Sequence, residues 1–244
     1  MDKVNILHIP VVKTDIVSII FQIKDWLRHN KQYHIVTMNP EIMMAAQDNK
    51  KLKKIFNNTI NIPDGSGLLF AASYLKRPIP KRITGVDLVD KLLRNLKGND
   101  QSVYLLGANH GIAEKVAIKY KKINPDLVIS GVESGYRWWW RLSDNKIVNT
   151  IKSAKPKILL VAYGAPKQEL WIDKNLPKLK SVKVSIGVGG TFDFLSGKVR
   201  RAPKIMRQLS LEWLWRVIME PWRWPRIVNA TWKFSKAVIK SRKT

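Results

Sequence analysis

Apolar residues along this chain come in short runs, separated by longer stretches with a helical spacing. The runs at 4–9, 33–37, 103–106, 127–129, 158–162 and 182–188 are rich in β-branched residues and almost continuous in apolarity. That pattern predicts strands covered on both faces. The intervening segments 15–29, 40–49, 67–75, 86–96, 111–122, 144–154 and 167–175 read as helices, with Thr14, Asn39 and Ser143 as expected N-caps. Strand and helix alternate, which predicts an α/β fold: a Rossmann-like, mostly parallel sheet flanked by helices. In such sheets ligands bind beyond the carboxyl ends of the strands.

The pattern changes near residue 196, so the sequence divides into a core over 1–196 and an appendage over 197–244. From Lys198 to the end there are 13 Lys or Arg against two acids, Glu212 and Glu220, and five of the ten tryptophans. Leu211, Leu214, Trp215 and Ile218 recur at i, i+3, i+4, i+7 and predict an apolar helical stripe. Pro221 and Pro225 are expected to cut the appendage into short pieces.

A net charge of +26 over 244 residues predicts attraction to polyanions: anionic lipid, nucleic acid or phosphorylated substrates. The absence of cysteine removes disulfides, thiolate catalysis and cysteine-ligated zinc. MDKVNILHIP lacks a signal-peptide core, and no run reaches the ~20 apolar residues that cross a bilayer. The expected location is the cytoplasm, with peripheral membrane contact through the appendage.

Candidate chemistry gathers at the predicted strand ends. Thr37 and Asn39 follow the second strand. Asp64 lies in IPDGSG, and Arg82, Thr84 and Asp87 lie in KRITGVD. LGAN at 106–109, GAPKQE at 164–169 and GVGGTFD at 187–193 are strand-to-helix turns suited to phosphate contact through backbone amides. Each has an ordinary structural explanation as a cap, turn or loop glycine. Their convergence on one sheet edge is what favours a shared site. Walker A, H-E-x-x-H and G-x-S-x-G patterns are missing, and no Asp-x-Asp pair exists to hold a metal on a diphosphate. No cofactor or metal is expected.

Taken in order, IPDGSG, RITGVDL, LLGAN, GAPKQELWI, GVGGTFDFLSGKVRRAP and LEWLWRVIMEPWR resemble the motifs of the WecG/TagA/CpsF bacterial glycosyltransferases over nearly the whole chain. The resemblance implies an inverting transfer, without a required metal, from a UDP-sugar donor. N-acetylmannosamine is a common donor sugar in that family. The implied acceptor is N-acetylglucosamine on undecaprenyl diphosphate at the inner membrane face, as in teichoic acid or exopolysaccharide synthesis. It further implies Asp64 as catalytic base, with Thr37, Asn39, Arg82 and Gln168 binding substrate. Arg216, Arg223 and Arg226 of the appendage are implied to meet the acceptor diphosphate. The run RWWWR at 137–141 departs from the family pattern. Self-association is common in the family and is not decided by these residues. Two rival readings stay open at this stage. A nucleic-acid binder fits the basic, aromatic composition but lacks a recognition motif. A soluble nucleotide-sugar epimerase or dehydrogenase lacks the full G-x-G-x-x-G.

Overall fold

The computed structural model describes residues 1–134, 144–209, 211–219, 221 and 224–242, without the side chains of 216, 225–227 and 229. The tryptophan run at 138–140, the expected cap Ser143 and Arg223 lie outside the described residues. The first half of the chain contains β1 (Lys3–Ile6), β2 (Ile9–Val12), α1 (Ile16–Trp26), β3 (Tyr33–Met38), α2 (Pro40–Gln47), α3 (Lys50–Asn57), β4 (Ile60–Pro63), α4 (Ser66–Tyr74) and α5 (Gly85–Asn95). Next come β5 (Val103–Gly107), α6 (Ile112–Ile123), β6 (Ile129–Glu133), α7 (Asp144–Ala154), β7 (Ile158–Ala162), α8 (Lys167–Asn175) and β8 (Val184–Gly187). The last elements are α9 (Thr191–Leu195), α10 (Lys204–Gln208), α11 (Glu212–Met219) and α12 (Trp224–Ser241).

These elements form two compact units: residues 1–15, 38–84 and 200–244, and residues 16–37 and 85–199. The second carries the parallel strands in the order β3-β8-β7-β5-β6. VYLLG of β5, ILLVA of β7 and VSIG of β8 are buried throughout, as strands with both faces covered must be. On one face, Tyr104, Leu106, Leu159 and Val161 pack with Val148 and Ile151 of α7 and Trp171 and Ile172 of α8. Helix α5 buries Leu88, Val89, Leu92 and Leu93 and packs on α1, α6 and α9. Burial of four such side chains contributes roughly 1.5–3 kcal/mol each, before the entropy of ordering them.

The first unit holds the β1–β2 hairpin, β4 beside β2, and helices α2, α3, α4 and α10–α12. Here the structure corrects several expectations. Residues 4–9 are not one strand, because the chain reverses at Leu7 and His8, both at positive φ (51° and 63°). Strand β4 and helix α3 were not expected. In β4, Asn61 interrupts the apolar run, yet it is fully buried. Its amide donates to the Pro10 and Phe56 carbonyls (both 2.7 Å) and its oxygen accepts from Thr59 (2.8 Å). Helix α3 looks like a lysine run, but it buries Leu52, Ile55 and Phe56 and is capped by Asn49.

Helix α1 ends at Trp26 and not at 29, and Thr14 donates its hydroxyl to the Asp15 carbonyl at 3.3 Å. Strand β6 runs over Ile129–Glu133 and not 127–129. Helix α12 continues for 18 residues with Pro225 in its first turn, where a missing N–H costs little. Of the stripe expected on α11, Ile218 is exposed, and among the helix's described side chains Val217 is buried.

Candidate functional site

In the second unit, the carboxyl ends of β3, β7 and β8 are joined by buried polar side chains. The Thr37 hydroxyl donates to the Gly187 carbonyl at 3.0 Å. Gln168, in the first turn of α8, is 1% exposed. Its side-chain oxygen accepts the N–H groups of Gly164 (3.1 Å) and Gly189 (2.9 Å), so it gathers the loops after β7 and β8. Its amide nitrogen donates to Oε1 of Glu169 at 2.8 Å. A Cβ at Gly187 would lie 2.7 Å from Gln168 Nε2 and 2.8 Å from Glu169 Oε1, so only glycine fits without displacement. Gly164 and Gly189 both sit at positive φ (75° and 52°).

Glu169 has no solvent exposure. Burial pushes its carboxyl up to about 7, against the hydrogen bonds from Gln168 and from its own backbone amide. His34 is buried on the same sheet face and is driven down to about 3 by desolvation, so it is neutral. Its Nε2, Ser185 Oγ and Glu169 Oε2 have no hydrogen-bond partner among the described residues.

In the first unit, a different group of expected residues converges. Asn39 caps α2, its side-chain oxygen accepting the Ile42 N–H at 2.9 Å, and Pro40 opens the helix. The Asp64 N–H donates to the Met38 carbonyl at 2.7 Å, which fixes the turn after β4. Gly65 has φ of 124°, and a Cβ there would sit 3.6 Å from Pro40 Cδ and 3.8 Å from Asn39 Cβ. At Gly67 a Cβ would come within 2.6 Å of Pro40 Cγ. The Asp-Gly-Ser-Gly turn therefore packs directly on Asn39–Pro40, and Asp64 and Asn39 are held in one place by backbone geometry. Asp64 itself is half-buried.

Arg82 is brought to the same turn by the Ile83 N–H, which donates to the Pro63 carbonyl at 2.7 Å. Its guanidinium donates to the Arg207 carbonyl (3.0 Å) and to Glu212 (3.2 Å). Arg201 donates to the other oxygen of Glu212 (3.1 Å) and to the Thr84 hydroxyl (3.3 Å). Glu212 thus bridges two arginines, with side-chain exposures of 17% at Glu212 and Arg82 and 22% at Arg201.

Thr37 and Gln168 accordingly meet around Gly187 in one unit, and Asn39, Asp64 and Arg82 meet around Pro40 and Pro63 in the other. Arg223 lies outside the described residues, as do the side chains of Arg216 and Arg226. Glu169, Arg201 and Glu212 were missed as candidates. Glu169 is spaced with Ile172 on the buried face of α8, a signal that a carboxyl there is desolvated. Glu212 is one of only two acids against 13 cations over residues 198–244, a signal that it serves a specific partner.

The last helix belongs to the first unit. It packs on α2 and α4, with Phe234 and Val238 buried. Trp215 is tied down through its indole N–H to the Arg200 carbonyl at 3.1 Å. Trp213, Trp224 and Trp232 remain 44%, 52% and 64% exposed, and Ile205, Leu209, Ile218, Met219 and Ile239 are exposed as well. Among the described residues, no helix is long and apolar enough to cross a membrane. No group of three or more His, Cys, Asp or Glu among them could hold a metal ion.

The family model described as the glycosyl transferase WecG/TagA/CpsF family matches residues 4–244. Three similar proteins carry the name N-acetylglucosaminyldiphosphoundecaprenol N-acetyl-beta-D-mannosaminyltransferase. That from Bacillus subtilis (strain 168) is 33% identical over 246 residues, covering 100% of this chain and 93% of the relative. That from Staphylococcus aureus (strain MW2) is 32% identical over 228 residues, covering 92% and 87%. That from Bacillus spizizenii is 34% identical over 218 residues, covering 88% and 82%.

Proposed function

Because the chain belongs to the WecG/TagA/CpsF family of glycosyl transferases, we propose that it moves an N-acetylmannosaminyl group from a UDP-linked donor to N-acetylglucosaminyl-diphosphoundecaprenol. The observation that carries this reading is the near end-to-end similarity to proteins named for that one reaction. The same likeness supports a place in teichoic acid or other cell-surface polymer synthesis.

In this proposal Asp64 takes the proton of the acceptor hydroxyl as that oxygen attacks the anomeric carbon. The C–O bond to UDP breaks on the opposite side, which inverts the centre. The fixed turn supports the role. Asp64 is anchored through its own N–H to Met38, and Gly65 and Gly67 are wedged on Pro40. A base held this way needs little reorganisation to meet its proton. Asn39 and Thr37 orient sugar hydroxyls. Gln168 acts from beneath, by setting the loops that carry the amides of Gly164 and Gly189. Arg82 faces a diphosphate, and Arg216, Arg223 and Arg226 clamp the acceptor diphosphate through forked hydrogen bonds.

Residues 197–244 act as the membrane-docking appendage at the inner face. The exposed Trp213, Trp224 and Trp232 and the exposed Lys233, Lys236 and Lys240 of α12 support this. Each cation near an anionic surface contributes about 1 kcal/mol, so four or five suffice for reversible docking.

The test is UDP release in the presence of a short-chain N-acetylglucosaminyl-diphosphate lipid. UDP-N-acetylmannosamine is expected to be turned over well above UDP-N-acetylglucosamine and UDP-glucose. Equal or faster release from another donor overturns the assignment of the sugar.

A further inference from the structure

We propose that Glu169 is a positioning residue, whose carboxyl group holds Gln168 in the orientation that gathers the loops after β7 and β8, and whose loss of a proton lets those loops go. The inference rests on the glycosyl-transfer reading only for its activity measurement. The side chain of Gln168 has two ends, and both are used. Its oxygen collects the amides of Gly164 and Gly189, and its nitrogen points at Glu169 Oε1. Reversing that amide would set its NH₂ against two N–H groups and its oxygen against a carboxyl oxygen. The two backbone amides and Glu169 Oε1 therefore favour the same amide orientation. The absence of a side chain at Gly187 leaves the space in which both groups lie.

The groups that face Glu169 are few. Strand β8 offers Gly187 and Ser185 on that face, and β7 offers Val161 and Leu159. Strand β3 offers Val36 and the neutral His34. On α8 itself, Lys167, Asp173 and Lys174 are exposed, and Tyr163 after β7 stacks edge-on against Trp171. An ionised Glu169 would be fully buried, with Gln168 as its one side-chain donor among the described residues. A charge in that position is relieved only by reaching water. Leaving that position takes Oε1 away from Gln168 Nε2, the side chain that ties the loops, so ionisation and loop release are linked. Burial places this titration at about 7, so the device works near neutral pH.

The linkage has a definite sign. The folded chain holds this proton to a higher pH than the unfolded chain does, so stability falls as pH rises from about 4.5 to about 7. Glu169→Gln keeps an oxygen for the Gln168 nitrogen and cannot ionise. Glu169→Ala removes the partner altogether.

The experiment follows the amide resonances of Gly164 and Gly189 from pH 5.5 to 8.5 in the full chain and both variants. The wild type is expected to show a shared inflection near 7, and Glu169→Gln none. Glu169→Ala is expected to show displaced resonances at every pH. Melting should agree: the midpoint of Glu169→Gln relative to wild type rises by on the order of 5 °C between pH 5 and pH 8. In the UDP-release assay, the wild type loses activity above the same inflection and Glu169→Gln shifts that limb upward. A flat wild-type titration, or the same inflection in Glu169→Gln, overturns the proposal. If no variant turns over any donor, the glycosyl-transfer reading falls while the amide titration still decides this one.

Discussion

The two units hold their polar side chains by opposite means. At the ends of β3, β7 and β8, Thr37, Gln168 and Glu169 are buried, and they are joined by hydrogen bonds between uncharged or proton-holding groups. Around the turn after β4, the partners are ionic and partly wet: Arg82, Arg201 and Glu212, with Asp64 half-buried nearby. The first arrangement is set by space, since a methyl group at Gly187 has nowhere to go. The second is set by charge. Steric and pH changes should therefore injure the one, and charge substitution and salt the other.

The largest expected effect falls in the ionic, half-exposed unit. Asp64→Asn should lower turnover by roughly 10²–10⁴-fold while leaving the melting temperature and donor affinity near wild type. Steady-state kinetics with parallel calorimetry checks this. Next is the C-terminal end of the same unit. Replacing Lys233, Lys236, Lys240 and Arg242 with serine should weaken binding to anionic vesicles by roughly 10²–10³-fold, at about 1 kcal/mol each. Vesicle co-sedimentation measures it, and the loss should shrink as salt rises.

The buried network comes third. Gly187→Ala should destabilise by about 1–3 kcal/mol, because Gln168 and Glu169 must shift to admit the methyl group. That is several degrees in the melting temperature, with little dependence on salt. The smallest effect is expected from Glu212→Gln, about 1–2 kcal/mol, because the ion pairs it weakens are partly solvated. Its signature is that high salt narrows the gap to wild type. A salt-sensitive Gly187→Ala or a salt-insensitive Glu212→Gln would break the contrast between the units.

The two units also differ in how well sequence foretells them. Strand β7 over Ile158–Ala162 and helices α7 and α8 match the apolar pattern residue for residue, because a strand covered on both faces leaves no polar position to confuse it. At the sheet edge, β6 contains Ser130 and Gly131. The glycine is there because the Tyr104 ring occupies the place of a Cβ, a tertiary fact invisible in the run itself. In the first unit, Asn61 hid β4 and the lysines hid α3. Both polar signals are answered by structure, one through three hydrogen bonds and the other through an exposed helix face.

The candidate residues follow the same division. Asp64, Asn39 and Arg82 stand in glycine- and proline-marked turns that sequence punctuates clearly. Their grouping depends on two backbone hydrogen bonds, Asp64 to Met38 and Ile83 to Pro63, which no local pattern encodes. Glu169 escaped notice for a related reason: a carboxylate in a Lys-Gln-Glu run looks solvated until its helix is docked.

The most direct measurement is the fate of the lipid acceptor itself. After incubation with UDP-N-acetylmannosamine, the N-acetylglucosaminyl-diphosphate lipid should gain one N-acetylhexosamine by mass, with the anomeric centre inverted relative to the donor, and Asp64→Asn should leave it almost unchanged. An acceptor that gains no sugar while wild-type protein consumes the donor, or one extended equally well by Asp64→Asn, would contradict the account.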